Sequence, residues 1–282
     1  MSVPVLRAFH PTANLRALVE LTALLKRFRT LVVEMTRRDL TEQYVGQVFG
    51  ALWIVGHPLL MAALYVFVFA FIFKMRIGGT PELPLDFTAY LLAGLTPWLS
   101  FQLSMTKGCS ALLGQANLVK QVVFPIEILP TKAVIASLLP QLVMTAVLVI
   151  YTLIVFGGLH ASYLLLPVLM IAQTLAMLGV AFILAMGSAF LRDLKEVVQV
   201  FGLVGLYVMP IVYLPEWVPS LFKPLLYLNP FSYMIWCYQD ALYFGRFEHP
   251  WAWPVFLVGS VATFAVGYRA FRFLKPYVGD VL

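Results

Sequence analysis

Long apolar blocks, each closed by a short polar or glycine- and proline-rich junction, run through residues 49–73, 87–105, 133–156, 162–191, 197–214 and 251–271. A helix rises about 1.5 Å per residue, so about 20 apolar residues cross the roughly 30 Å hydrocarbon core of a bilayer. Strands of an outer-membrane barrel would instead alternate over segments of about 10 residues. The pattern predicts an all-α integral membrane protein with six transmembrane helices. In the first block His57-Pro58 predicts a kink. Tyr65, Phe69 and Phe73 share one helical face there, with Phe67 and Phe71 beside it. In the second block a break is expected from Gly94 to Pro97, next to Trp98.

A different period precedes the first block. Leu18, Leu21, Leu25, Phe28, Val32 and Met35 recur at steps of three and four, with Arg16, Glu20, Lys26, Arg27 and Glu34 gathered opposite. This predicts an amphipathic helix over 15–35, too charged to span and suited to the cytoplasmic interface of the membrane. Residues 1–48 then form a cytoplasmic segment and 49–282 a transmembrane domain. The connector 106–131 contains Ala116 to Phe124, a short helix stopped by Pro125. Its size suits either a seat on a partner's surface or a plain intracellular loop.

The stretch 208–245 departs from the pattern. Pro210, Pro215, Pro219, Pro224 and Pro230 each remove a backbone donor from sequence that is apolar enough for a bilayer. Backbone freed in this way is tolerated at membrane depth only where protein or a water-filled cavity satisfies it. Short helical pieces that dip in and turn back are therefore expected, as re-entrant helices between the fifth and sixth spans.

Composition agrees with a membrane class: the chain is 62% hydrophobic and 11% charged, against roughly a quarter charged in soluble domains. Its net charge of +6 follows from topology and needs no nucleic-acid partner. Fifteen of the 19 Lys and Arg residues fall in the N-terminal segment, the connector with Lys132 just after it, the Arg192 junction and the tail. Lys74, Arg76, Lys223 and Arg246 occupy the other loops. The positive-inside rule then puts both termini in the cytoplasm. Seven basic residues within the first 48, with no cleavage pattern, leave the first span as the insertion signal.

Apart from Arg269 at the cytoplasmic end of the last, the spans carry no Asp, Glu, Lys or Arg, and only His57 is ionisable at depth, so no proton or ion relay is laid out. The chain lacks G-x-x-x-x-G-K-[ST], so nucleotide hydrolysis has to come from another polypeptide. Cys109 and Cys237 fall on opposite sides of the predicted membrane, which predicts no disulfide, and no cluster has metal-ligand spacing. The external carboxylates Glu216, Asp240 and Glu248 lack a catalytic motif and read as solvated or capping charges. Asp240 stands among Tyr233, Trp236, Tyr238 and Tyr243. Those aromatics fit an interfacial belt or a surface on which sugar rings stack, and both readings stay open.

The order of motifs resembles the membrane subunits of type 2 ABC transporters, specifically the polysaccharide-export permeases. The likeness rests on Arg38-Asp-Leu-Thr-Glu-Gln-Tyr44 running on to Trp53, Leu91-Leu-Ala-Gly-Leu-Thr-Pro-Trp98, and Ala116 to Pro125 with Glu127-Ile-Leu-Pro130. Phe190-Leu-Arg-Asp-Leu194 and Pro210-Ile-Val-Tyr213 through Leu228-Asn-Pro230 complete it, so that it spans nearly the whole chain. The resemblance implies a homodimer in the cytoplasmic membrane with two separate ABC ATPase subunits beneath. This chain would bind no cofactor, with ATP and Mg held by the partner. The ATPase contacts implied are a coupling helix bearing Asn117, Lys120, Gln121 and Phe124, and the junction at Arg192 and Asp193. The cargo implied is lipid-linked polysaccharide, O-antigen foremost, with capsule and teichoic acid in the same class. Trp53, Tyr65, Phe69, Tyr207 and Tyr213 would wall its path, and Trp217, Tyr227, Tyr233 and Trp236 would stand near the exit. Export of a drug or lipid, and enzymatic action on a lipid-linked sugar, are the alternatives.

Overall fold

The computed structural model describes residues 11–42, 45–73, 83–121 and 124–281, and all regular structure among them is helical. The expected turn from Gly78 to Pro81, the lead-in Gln43-Tyr44, and Val122 and Val123 of the connector lie outside the described residues.

The N-terminal amphipathic stretch forms two helices, α1 (Pro11–Arg27) and α2 (Arg29–Glu42), joined at Phe28, where the Phe28 amide reaches the Leu24 carbonyl and the Val32 amide the Phe28 carbonyl, both at 3.0 Å. Each follows its own support: α1 packs on the last long helix and α2 on the helix that begins at Ile128. Leu21 and Val32, both on the expected apolar face, are buried against protein. Leu18, Leu25 and Met35 of the same face are partly buried against the core.

The first span comprises α3 (Trp53–Val66), a 3-10 turn at Gly50–Leu52 before it and a wide π turn at Phe67–Ile72 after it. Pro58 lies inside α3 and is buried there. The second apolar block forms α4 (Phe87–Ser110), the most enclosed helix, which runs unbroken through Gly94 and Pro97 where a break was expected. Two contacts account for this. Gly94 lets Ile235, Gln239 and the backbone of Ile211 approach closely, and Gln173 Nε2 donates to the Pro97 carbonyl at 3.1 Å. The helix start is fixed by Asp86, whose carboxylate accepts from the Ala89 amide at 3.0 Å and from the Tyr151 hydroxyl.

A short helix α5 (Ala116–Gln121) interrupts the connector, and α6 (Ile128–Phe156) starts before the predicted third span and ends at Gly157, whose φ of 75° is the left-handed cap glycine tolerates. A 3-10 turn at Ala161–Leu165 opens onto α7 (Leu166–Phe190). The expected fifth span, 197–214, is realised only as α8 (Leu194–Val208). Met209, preceding Pro210, is extended at φ −89°, ψ 154°, as the proline ring requires, and the helix stops. The broken stretch follows as a 3-10 turn at Pro215–Trp217, α9 (Lys223–Leu228), α10 (Pro230–Gln239) and a π turn at Asp240–Phe244. The chain finishes with α11 (Ala252–Leu274), a 3-10 turn at Lys275–Tyr277 and α12 (Val278–Val281).

Helices α7 and α11 form the most extensive pair. A Cβ built on Gly267 would stand 2.1 Å from the Gly179 carbonyl oxygen, and one on Gly179 would stand 2.3 Å from that of Thr263. Only glycine allows this backbone-on-backbone approach, a common way of joining helices in lipid.

Among the described residues, four helical stretches are long and apolar enough to cross a membrane: Gly50–Phe69, Ile128–Phe156, Ala161–Phe190 and Ala252–Tyr277. Helix α4 is long enough at about 36 Å but more polar and largely enclosed by the others. Helix α8 reaches about 22 Å, short of the roughly 30 Å hydrocarbon core.

Candidate functional site

Helices α3, α4, α6 and α8 enclose a cavity of about 560 Å³. Two prolines shape its chemistry. Pro58 and Pro140 lie inside α3 and α6 and have no N–H, so the carbonyls of Ile54 and Ala136 lose their usual i+4 donors. All four of these residues line the cavity. From α4 come Ser100 and Gln102, and from α3 and α8 the rings of Tyr65 and Tyr207. The lining is thus apolar with spaced hydroxyl, amide and carbonyl groups.

Behind one wall sits a buried polar network. Gln141 Nε2 donates to Gln173 Oε1 at 2.7 Å and to the Tyr238 hydroxyl at 2.9 Å, while Tyr238 donates to Gln173 Oε1 at 2.6 Å. Gln173 then reaches the Pro97 carbonyl, so α4, α6, α7 and α10 are joined through side-chain amides. Gln141 also lines the cavity, and its Oε1 is buried without a hydrogen-bond partner. It is the one open valence of an otherwise closed network.

At the end of the cavity that includes Leu40 and Lys107, α2 contributes Asp39. Its carboxylate accepts from Lys107 Nζ at 2.9 Å and from Lys132 Nζ at 3.2 Å, tying α2 to α4 and α6. Burial pulls this carboxyl up, but hydrogen bonds and charge from Lys107 and Lys132 outweigh burial and hold it below the ordinary carboxylate value.

Side chains complete the hydrogen bonds of the proline-broken stretch, as its sequence demanded. The Pro210 carbonyl accepts from Gln239 Nε2 at 2.7 Å and the Tyr90 hydroxyl at 3.3 Å, and the Tyr213 hydroxyl donates to Val208 at 2.8 Å. The π turn is pinned by Tyr163 to the Leu242 carbonyl and by Ser162 to that of Ala241. Of the solvated and capping roles expected for Asp240, the second fits, since it is 1% exposed and bonds a backbone amide. It accepts from the His249 amide at 3.1 Å and Trp253 Nε1 at 3.0 Å, and pairs with His249 Nδ1 at 2.9 Å. Placed this way it locks the broken stretch to the start of α11.

The predicted path residues separate into groups. Tyr65 and Tyr207 meet at the cavity, whereas Trp53 and Phe69 lie on α3 and the following turn without lining it. Tyr213 is half-buried and spent on Val208. Trp217 and Tyr227 are 51% and 46% exposed, and half-buried Tyr233 donates to the Tyr227 carbonyl. Trp236 is 1% exposed and stacked on His249 with ring centroids 5.3 Å apart. Trp251, which the sequence reading passed over, packs on Tyr227, Tyr233 and Trp236 and stays 40% exposed. On α5, Asn117, Lys120 and Gln121 are exposed, while Phe124 packs against the core. Arg192 and Asp193 are exposed just ahead of α8. The cysteines Cys109 and Cys237 are both buried and free. Among the described residues, no group of His, Cys, Asp and Glu converges in a way that could hold a metal.

The family model described as ABC-2 type transporter matches residues 30–243. Two proteins of Klebsiella pneumoniae, each named O-antigen export system permease protein RfbA, are similar to this chain at 28% identity over 254 residues and 27% over 253. Each alignment covers 89% of this chain and 95% of the relative. A protein of the same name from Myxococcus xanthus is 27% identical over 253 residues, covering 87% of this chain and 92% of its own length.

Proposed function

The chain belongs to the ABC-2 type transporter family, and on that footing we propose that it is the permease subunit of an ATP-driven exporter of lipid-linked polysaccharide, O-antigen foremost, across the cytoplasmic membrane. The names and near-complete coverage of the relatives support this cargo. The observation that carries it is the cavity between α3 and α8, where the rings of Tyr65 and Tyr207 share the lining with Gln102 and Thr106. Sugars are held by rings against their C–H faces and by amides and hydroxyls at their edges. Such contacts are individually weak, which suits a polymer that has to keep moving.

In this reading two copies assemble in the membrane, each crossing it six times, with α4 and α8 counted as spans, both termini cytoplasmic and the broken stretch re-entrant at the outer side. ATP and Mg belong to a separate ATPase. It docks on Asn117, Lys120 and Gln121 of α5 and on Arg192 and Asp193, and Phe124 ties the first contact to the core so that a push at α5 becomes a rigid-body shift of α4 and α6. Trp217, Tyr227 and Trp251 offer the outer aromatic surface. Trp236 braces it from behind.

The test is replacement of Tyr65 and Tyr207 by Ala, alone and together, in cells that depend on this chain for surface glycan. Glycan reaching the surface should fall while membrane-inserted protein stays at the wild-type level. Unchanged glycan from the stable double variant would remove the cavity from the path.

A further inference from the structure

Two ammonium groups converge on a single carboxylate beside the cavity. Lys132 Nζ and Lys107 Nζ each reach a different oxygen of Asp39, and the lysine side chains are only 9% and 18% exposed. Among the described residues no second carboxylate pairs with either lysine, so one positive charge stays uncompensated in a largely desolvated place. Position adds to the imbalance. Lys132 lies in the second turn of α6 and is among the few buried charged side chains of the fold. Lys107 also lines the cavity, so an anionic group entering there meets its ammonium directly.

We propose that Lys107 and Lys132 form a phosphoryl-binding site at the α2 end of the cavity, where the Asp39 carboxylate holds the place taken by the phosphoryl group of the lipid-linked cargo. This rests on the export reading above and names the part of the cargo recognised. A carboxylate and a phosphoryl group both present paired oxygens to the two ammonium groups, and a diphosphate carries the additional negative charge that the site lacks. The exchange replaces one anion by another, so neither buried ammonium is left bare. No bond is made or broken. Export would begin with the phosphoryl end seated at the lysines and the first sugar laid against Tyr65 and Tyr207.

The experiment uses the permease with its ATPase in phosphatidylcholine nanodiscs, titrated with a sugar-free polyprenyl diphosphate. Wild type should bind; K107Q and K132Q should each bind about tenfold more weakly or worse, the loss of one charge-assisted hydrogen bond. D39N should bind several-fold more tightly, because the competing anion is gone. A purely structural ion cluster would weaken binding in all three variants, and that result overturns the proposal. Should D39N not fold, amine-reactive labelling of Lys107 in wild type decides: the diphosphate should slow it, and an unchanged rate overturns the site. Competition by inorganic diphosphate supports recognition of the phosphoryl group itself, whereas complete displacement by phosphatidylglycerol would make this a general anionic-lipid site and overturn its assignment to cargo. Wild-type binding that K107Q and K132Q share unchanged removes the lysine site alone. Failure of wild type to bind any lipid diphosphate, with or without glycan, removes the export reading as well.

Discussion

Gly267→Ala should separate α7 from α11. The added methyl would stand 2.1 Å from the Gly179 carbonyl oxygen, and ordinary contact begins at 3.4 Å, so the helices must part by more than an ångström. No flexible side chain can give way, because the obstructing atoms are backbone on both sides. The ring contacts flanking the crossing would loosen with it, among them Phe182 with Tyr268 at 5.5 Å and with Phe271 at 4.9 Å. Overpacking costs about 1–3 kcal/mol, and the backbone clash with ring separation puts this case at about 3 kcal/mol, roughly a hundredfold in the folded ratio. Gly259, on the same helix, is the internal control: a Cβ there meets nothing within 4 Å, so Gly259→Ala should lose no stability and gain up to about 1 kcal/mol. Thermal unfolding in detergent, followed by size-exclusion fluorescence, measures both. Adding Gly179→Ala to Gly267→Ala should cost less than the sum, since the crossing is already open. Equal losses at Gly259 and Gly267 would refute the close approach.

Asp240→Ala leaves His249 and Trp253 Nε1 without their carboxylate and should destabilise by about 3 kcal/mol, read as a lower unfolding temperature with altered tryptophan emission. Because the Asp39 carboxyl is depressed when folded, its contribution is fully present above its ordinary unfolded value and is lost as pH falls through the lower folded one. Limited proteolysis should accordingly find α2 docked at neutral pH and released only in strong acid, below the usual carboxylate range. Lys120→Glu on exposed α5 should uncouple the ATPase, leaving assembly intact but abolishing glycan-dependent stimulation in reconstituted vesicles.

Hydrophobic runs alone locate α3, α6, α7 and α11, because a long apolar block has few alternatives to a helix in lipid. The prolines after Met209 likewise announce the short pieces that follow α8. Less was legible where distant residues decide the outcome. Gly94 and Pro97 read locally as a break, yet α10 and Gln173 close around them and the helix continues. Trp236 reads as an exit aromatic, since nothing in its neighbourhood says that His249 will stack on it and Asp240 will bind both His249 and Trp253. Gln141 and Gln173 lie 32 positions apart, and their pairing across two helices leaves no periodic trace. The cavity itself comes from four separate helices, so only the tyrosines on two of its walls could be picked out beforehand.

The most direct test places a photoreactive phenylalanine analogue at Tyr65, at Tyr207 and at the outward-facing Ile154 of α6, which is 77% exposed, and irradiates cells whose lipid-linked glycan is metabolically labelled. Glycan should become attached at positions 65 and 207 and not at 154, with attachment dependent on a functional ATPase. Absence of label at both tyrosine positions, or equal labelling at 154, would contradict a polysaccharide path between α3 and α8.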